Sequence, residues 1–530
     1  MKMNSIFVFA VVISVLSWSC QENTKAPAIV ERAVEITPEL ATSTLFLDSA
    51  AVQQYLTDQH LPDTTRQMIV NFYNARNYSY AWFDTSGVAE QAVQLWNLQS
   101  NYIGYSRDSS IYNPFVQRWA DSVYANGNKA IPAAEQQRME LDMTSLFFNY
   151  ASKAYVGNES LNGKDLGWFI PRRKVDLLGL LDTLVRGGGK GYAGYEPVNR
   201  QYGLLRDALK AYYQLQQEGA WDPLHTSAKK ISAGDTGEVV LQLKKRLAVT
   251  KDLAVNDSTA VFDTSLVKAV KRFQRRYGLK EDGVVGGSTL VEMNRPIDYR
   301  IRQILVNMER IRWVPAEPKT DYILVNIPDY RLFAYEAGNQ LVFTMNVVVG
   351  SITHSTVIFT GDLKNVVFSP YWNVPPGILA KEVLPGIKRD QHYLARHNME
   401  WNGGNVRQKP GKSNSLGLVK FLFPNNYNIY LHDTPSKNLF NESKRDFSHG
   451  CIRLSQPKKL AEWILRNDSA WTTAAIDKAM NSGKEKFVTV KQELPVFIGY
   501  FTAWVDREGL LNFRDDVYGH DKVLMEKMFK

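Results

Sequence analysis

The sequence predicts a multidomain α+β chain, on three observations. Apolar residues recur with a helical period through residues 40–225. A compact helix–helix–turn–helix pattern follows at 231–294, and from residue 320 the pattern changes to strands. A length of 530 residues exceeds one ordinary core. The composition, 44% hydrophobic and 22% charged, excludes a disordered or collagen-like chain. With 63 Lys and Arg against 54 Asp and Glu, the net charge is +9. That modest excess suits contact with polyanionic surfaces, but no long basic run of the kind that binds nucleic acid is present.

The N-terminal element reads as an address. Lys2 precedes the apolar run Ile6 to Leu16, too short for the roughly 20 residues of a membrane span and of the length of a signal-peptide core. No other stretch is long enough to span. Ser17-Trp18-Ser19 leads into Cys20, and the segment resembles a lipoprotein processing site. That resemblance implies a lipidated Cys20; cleavage at another small residue and an uncleaved anchor are the alternatives. The expected organisation is a signal peptide over 1–20 and a polar linker over 21–40. The chain has two cysteines, Cys20 and Cys451, so a disulfide framework is excluded. With Cys20 lipidated, Cys451 has no partner in its own chain. In the oxidising compartment that exported proteins meet, such a thiol is either buried and inert or used.

A helical scaffold is expected over 41–230. Phe147, Tyr150, Ala151 and Ala154 share one helix face; Leu205, Ala208, Leu209 and Tyr212 share another, with Gly219 as the stop. These stripes are read as core. Arg186 to Gly191, rich in glycine, is a loop. Residues 231–296 form the three-helix unit. Gly234-Asp235-Thr236-Gly237 opens a helix carrying Val239, Val240, Leu243 and Leu247. Asp263 caps a second, with Leu266, Val270, Phe273 and Tyr277, and Ser288 caps a third. The text AVKRFQRRYGLKEDGVVGGSTL at 269–290 resembles the small peptidoglycan-binding module of cell-wall enzymes. An amphipathic connecting helix is expected over 300–318, with Ile301, Ile304, Leu305, Met308 and Ile311 on one face.

Strands are expected at Tyr322 to Ile327, Arg331 to Glu336 and Leu341 to Val349, separated by Pro328-Asp329 and Gly338-Asn339 turns, and again at Asn365 to Phe368 and Asn428 to His432. The stretch 376–426 reads as an irregular insertion with eight Lys or Arg against three acids. Its Leu384, Tyr393, Leu394 and Trp401 argue against disorder, so it is read as a lid with a basic face.

The chemistry concentrates at 430–454, YLHDTPSKNLFNESKRDFSHGCIRL. A thiolate is the nucleophilic form of cysteine, and a nearby imidazole or cation lowers the thiol pKa. His432, His449 and Arg453 are candidates for that role toward Cys451. Gly450 permits a tight turn before the nucleophile, and backbone N–H groups around Gly450 and Cys451 can face a developing oxyanion. His432, at the end of a neighbouring strand, is the favoured base, with His449 as orienter. Asp433 is less suited to orient an imidazole, because adjacent strand side chains point apart. Tyr430 shares the strand face of His432, and Ser448 flanks the turn. Arg453 can hold a substrate carboxylate or form an internal salt bridge. A zinc site is disfavoured: only one sulfur is available and no ligand spacing is present. His354 is expected near the cleft, and His60, His225, His392, His397 and His520 at the surface.

His432 followed by Ser448-His449-Gly450-Cys451 resembles the active-site motif of the L,D-transpeptidases, long multidomain type. NVVFSPYWNVPPGI at 365–378 and LPVFIGYFTAWVDREGLLNFRDDVYGHD at 494–521 resemble segments of that family. The resemblance implies a β-rich catalytic domain over 320–530 and a cysteine-dependent acyltransferase that joins peptidoglycan stem peptides by 3–3 cross-links, with Cys451 as nucleophile and His432 as general base. It further implies a periplasmic or cell-envelope site, no cofactor or metal, membrane contact only through Cys20, and inhibition by carbapenem-type β-lactams. A carboxypeptidase or protein-anchoring enzyme of the same fold, and a non-catalytic wall-binding scaffold, are the rival readings.

Overall fold

The computed structural model describes residues 43–126, 131–188, 198–254, 258–315, 318–492 and 494–529. The expected signal peptide over 1–20, Cys20, the linker over 21–40 and Gly189 to Gly191 lie outside the described residues. The chain divides into two compact units.

Among the described residues, the first unit holds 43–99, 110–149 and 177–188. Its buried carboxylate, Glu140, accepts from the N–H groups of Ala81 (2.6 Å) and Trp82 (2.9 Å) and from the Tyr73 hydroxyl (2.9 Å). A buried charge needs such partners. The second unit holds the rest, including 100–109 and 150–176. The expected helical scaffold over 41–230 is divided between these two units. Helix Arg200–Gln217 belongs to the second unit, because its stripe of Leu205, Leu209 and Tyr212 is buried there and Gln201 donates to the Val505 carbonyl at 2.8 Å. Gly219, at φ +64°, follows that helix as expected.

The three-helix unit comprises Glu238–Val249, Thr264–Arg276 and Gly287–Met293. Asp263 caps the second helix, accepting from Leu266 N–H at 2.8 Å. Ser288 does not cap the third. That helix starts after extended Gly286 and leaves Ser288 inside its first turn.

Helix Ile297–Trp313 departs from the amphipathic reading. Ile301, Ile304, Met308 and Ile311 are buried, but so are Arg300, Gln303, Asn307, Glu309 and Arg310. Its buried polar side chains find partners within the protein, Arg300 Nε excepted. Arg310 donates to Asp521 at 2.5 Å and Asn307 to Thr502 at 2.7 Å. Glu309 accepts from Asn158 N–H and Trp313 Nε1 at 2.9 and 3.0 Å. The helix is a central strut, its polar face turned toward protein groups instead of water.

An eleven-stranded sheet carries the C-terminal region. Its strands are β1 Tyr322–Asn326, β2 Arg331–Glu336, β3 Gln340–Gly350, β4 Phe359–Asp362, β5 Asn365–Phe368, β6 Val419–Leu422, β7 Leu431–His432, β8 Asp446–Ser448, β9 Ile452–Leu454, β10 Lys486–Thr489 and β11 Pro495–Gly499. The order is β10-β5-β6-β7-β9-β3-β2-β1-β11-β4, with β8 beside β3. One face buries Val347, Val349, Val366, Phe368, Phe421, Leu431, Ile452 and Leu454 in a single apolar core, as alternate residues of a pleated strand do.

The insertion begins earlier and is more regular than the expected 376–426. A three-stranded sheet of Trp372–Asn373, Asn405–Gln408 and Met399–Asn402 packs with short helices around Val374, Val383, Met399 and Val406. Residues 419–422, expected within the lid, are β6 of the main sheet. Lys420 hid that strand by adding a charge to Val419-Lys420-Phe421-Leu422, although Val419 and Phe421 face the core. The insertion thus joins β5 and β6, which are antiparallel neighbours with Phe368 opposite Val419.

Candidate active site

Sheet pairing assembles the site. β7 runs parallel to β9, so Leu431 lies beside Ile452 and His432 beside Arg453. Because Leu431 and Ile452 point into the core, alternation sends Tyr430 and His432, and Cys451 and Arg453, to the opposite face. Cys451 just precedes β9 and is half-buried. Its thiol donates to the Asn428 carbonyl at 3.4 Å. The Tyr430 ring lies 5.7 Å from that of His432, and its hydroxyl interacts with the Cys451 sulfur. Cys451 and His432 therefore share Tyr430 and Arg453 as neighbours.

The His432 tautomer follows from its partner. Nδ1 lies 2.5 Å from the Asp433 carbonyl oxygen. A carbonyl only accepts, so Nδ1 carries the proton and Nε2 is left as the acceptor. Burial, with the Arg453 guanidinium nearby, pushes the His432 pKa down to about 4. The Asp433 carboxylate is committed elsewhere, to Leu418 N–H (2.9 Å), Thr434 N–H (2.7 Å) and Lys437 (2.5 Å). Asp433 thus orients the imidazole through its backbone.

Two expectations about Cys451 are corrected. Burial pushes the Cys451 thiol up, outweighing Tyr430 and Arg453, which act to lower it. Both shifts act against a preformed thiolate–imidazolium pair. In addition, the Gly450 N–H is engaged. It donates to Ser448 Oγ at 3.1 Å, and Ser448 Oγ donates to the Cys451 carbonyl at 2.5 Å. Gly450, at φ +110°, takes a conformation side chains disfavour. No hydrogen bond engages the Cys451 N–H among the described residues.

His449 is exposed and packs on His354, ring centroids 5.0 Å apart; it does not contact His432 as an orienter would. Arg453 pairs with no carboxylate among the described residues, so the internal salt bridge is not made there. His520, expected at the surface, is wedged at 4.8 Å from the Tyr500 ring and pushed down to about 4 by burial. Sequence reasoning missed Thr356 and Tyr518, which brace the turn before Cys451 through bonds to Gly450 and Gly350. Neither had a local signal, since both act across long sequence separations.

Residues 320–481 match the family model described as the L,D-transpeptidase catalytic domain, residues 67–209 one described as a scaffold domain, and residues 236–293 one described as "Putative peptidoglycan binding domain". A Haemophilus influenzae protein named "Putative L,D-transpeptidase" is 34% identical over 242 residues, covering 42% of this chain and 48% of that protein. The chain thus spans about half the length of this curated relative. Two solved L,D-transpeptidases, from Xylanimonas cellulosilytica and Stackebrandtia nassauensis, are each 17% identical. Each match covers 52% of this chain, with 100% and 98% of theirs, at TM-scores of 0.19 and 0.24.

Proposed function

We propose that this chain, with its L,D-transpeptidase catalytic domain and peptidoglycan-binding module, is an envelope enzyme that forms 3–3 cross-links between peptidoglycan stems. The observation that carries the reading is a half-buried cysteine on one sheet face with a histidine whose Nε2 is left as acceptor and an arginine that pairs with no carboxylate among the described residues. In the proposed reaction, Cys451 sulfur adds to the carbonyl of the third residue of a tetrapeptide stem as Nε2 of His432 takes the thiol proton. The amide bond to the terminal D-Ala breaks, and the imidazolium gives its proton to the departing amine. A side-chain amine of a second stem then attacks the thioester, passing its proton to His432 as the C–S bond breaks. The thiol is regenerated, and no metal or cofactor enters the balance.

The Cys451 N–H supplies an oxyanion donor, and Arg453 holds a stem carboxylate through its planar fork. Tyr430 lines the site; Ser448 and Gly450 shape the turn. Lipidation of Cys20 would tether the enzyme to a membrane on the wall side, and carbapenem-type β-lactams would acylate Cys451. Mass spectrometry of muropeptides after incubation of the purified chain with tetrapeptide-rich sacculi tests the reading. Cross-linked 3–3 dimers are expected. Tripeptides alone would show water as the acceptor, and unaltered sacculi would leave only a binding role.

The insertion supplies a separate test. Because β5 and β6 are adjacent antiparallel strands, replacing residues 371–415 by a short Gly/Ser turn preserves their ladder. Donor turnover is expected to fall about tenfold or more through lost substrate positioning, with the melting transition of the remaining fold retained. Unchanged turnover would remove the insertion from the site.

A further inference from the structure

The peptide joining Gly450 to Cys451 is held from one side. Thr356, 1% exposed, donates its hydroxyl to the Gly450 carbonyl at 2.8 Å and accepts from Gly350 N–H at 2.8 Å. Gly350 is held in turn: the Tyr518 hydroxyl donates to its carbonyl at 2.5 Å, and that same hydroxyl accepts from Thr356 N–H at 3.3 Å. Tyr518 is itself anchored, its N–H donating to Tyr500 Oη at 2.9 Å. Three segments distant in sequence, 350–356, 448–451 and 500–518, meet behind the nucleophile.

A trans peptide is planar, with its C=O and N–H pointing in opposite directions. No cis peptide occurs among the described residues. Fixing the Gly450 C=O on Thr356 therefore aims the Cys451 N–H away from Thr356. No hydrogen bond engages that N–H among the described residues, whereas Ser448 has taken the Gly450 N–H.

We infer that Thr356 is a positioning residue for the oxyanion donor of Cys451, with Tyr518 of the C-terminal segment bracing it. The inference rests on the reading of Cys451 as an acylated nucleophile. It predicts a selective defect. Addition to a carbonyl builds an oxyanion that needs the aimed N–H; displacement at a saturated carbon does not.

The test compares the two reactions in the full chain. With p-nitrophenyl acetate, the sulfur–carbonyl bond forms, the ester C–O bond breaks, p-nitrophenolate leaves and the thiol proton passes to the base. With iodoacetamide, sulfur displaces iodide from a CH2 group. Thr356→Val should slow the acetylation burst about tenfold, a part of the 10²–10³ that loss of a whole donor costs, with alkylation within about twofold. The burst is read against Cys451→Ala, which removes reaction at other side chains. Thr356→Ser should restore the burst, and Tyr518→Phe should slow it in the same selective way. Should Thr356→Val fail to fold, these two variants decide the matter. Equal slowing of both reactions, or of neither, overturns the inference. A Thr356-dependent burst in a chain that leaves tetrapeptide stems unaltered supports the positioning role and rejects the transpeptidase reading. Stem cross-linking with a burst indifferent to Thr356 rejects the positioning role alone.

Discussion

Cys451→Ala is expected to lower cross-linking by at least about 10⁴-fold, the scale on which removing a nucleophile acts, and to leave the fold intact. The side chain sits half-buried just before β9 and donates one hydrogen bond, to Asn428. Its removal costs about 1 kcal/mol, far less than the chain's neighbouring core residues would. Cys451→Ser should be equally inactive. An alcohol gives up its proton far less readily than a thiol, and a His432 imidazole held at about 4 is a weak base. In the proposed reaction sulfur suits such a base, because thiol deprotonation is the easier step, coupled to attack on the carbonyl. Muropeptide analysis of purified variants with matched melting curves checks both. Cross-linking that persists in Cys451→Ala would mean another residue performs the attack.

How far the sequence reached depended on whether a feature was local. Strands β2 and β5 fall where period-2 patterning put them, and Asp263 caps its helix, because turn and cap chemistry are written within a few residues. Tyr430, His432, Cys451 and Arg453 were legible as one site because two short strands and the loop between them carry all four. What failed was set by partners remote in sequence. Helix Ile297–Trp313 read as one-sided since its charged residues look solvated until Asp521, Thr502 and Asn158 are in place. β6 was lost in a basic stretch because a strand with one face toward the site can carry a lysine there. Ordinary thiol reasoning predicted a depressed Cys451, but the strength of burial depends on how the whole sheet face is covered, and no motif encodes that. Thr356 and Tyr518 belong to the same class: each bonds across about a hundred residues or more, so only the fold reveals them.

His432→Ala is expected to cost 10²–10⁴-fold in kcat/KM, the usual range for a positioned base, and His449→Ala far less, since His449 packs on exposed His354. The pH profile separates the two more sharply. Burial and Arg453 lower the His432 pKa below its ordinary 6.5 to about 4, so the imidazole stays a neutral acceptor until the medium is distinctly acid. The acid limb of kcat/KM should therefore lie near pH 4, with little loss between 7 and 5. On the other side, burial raises the Cys451 thiol above its ordinary range, so alkylation by iodoacetamide should keep accelerating with pH beyond the range of a free thiol. Arg453 acts on both groups, lowering each. Arg453→Met should thus move the acid limb to higher pH, because a lost cation lets the imidazole protonate sooner. It should move the thiol higher still, because the thiolate loses the same cation. A salt bridge confined to one partner would not shift the two limbs together. An acid limb near pH 6.5 that vanishes in His449→Ala would instead identify the exposed imidazole as the base, and the proton path would run through the turn and not through the sheet.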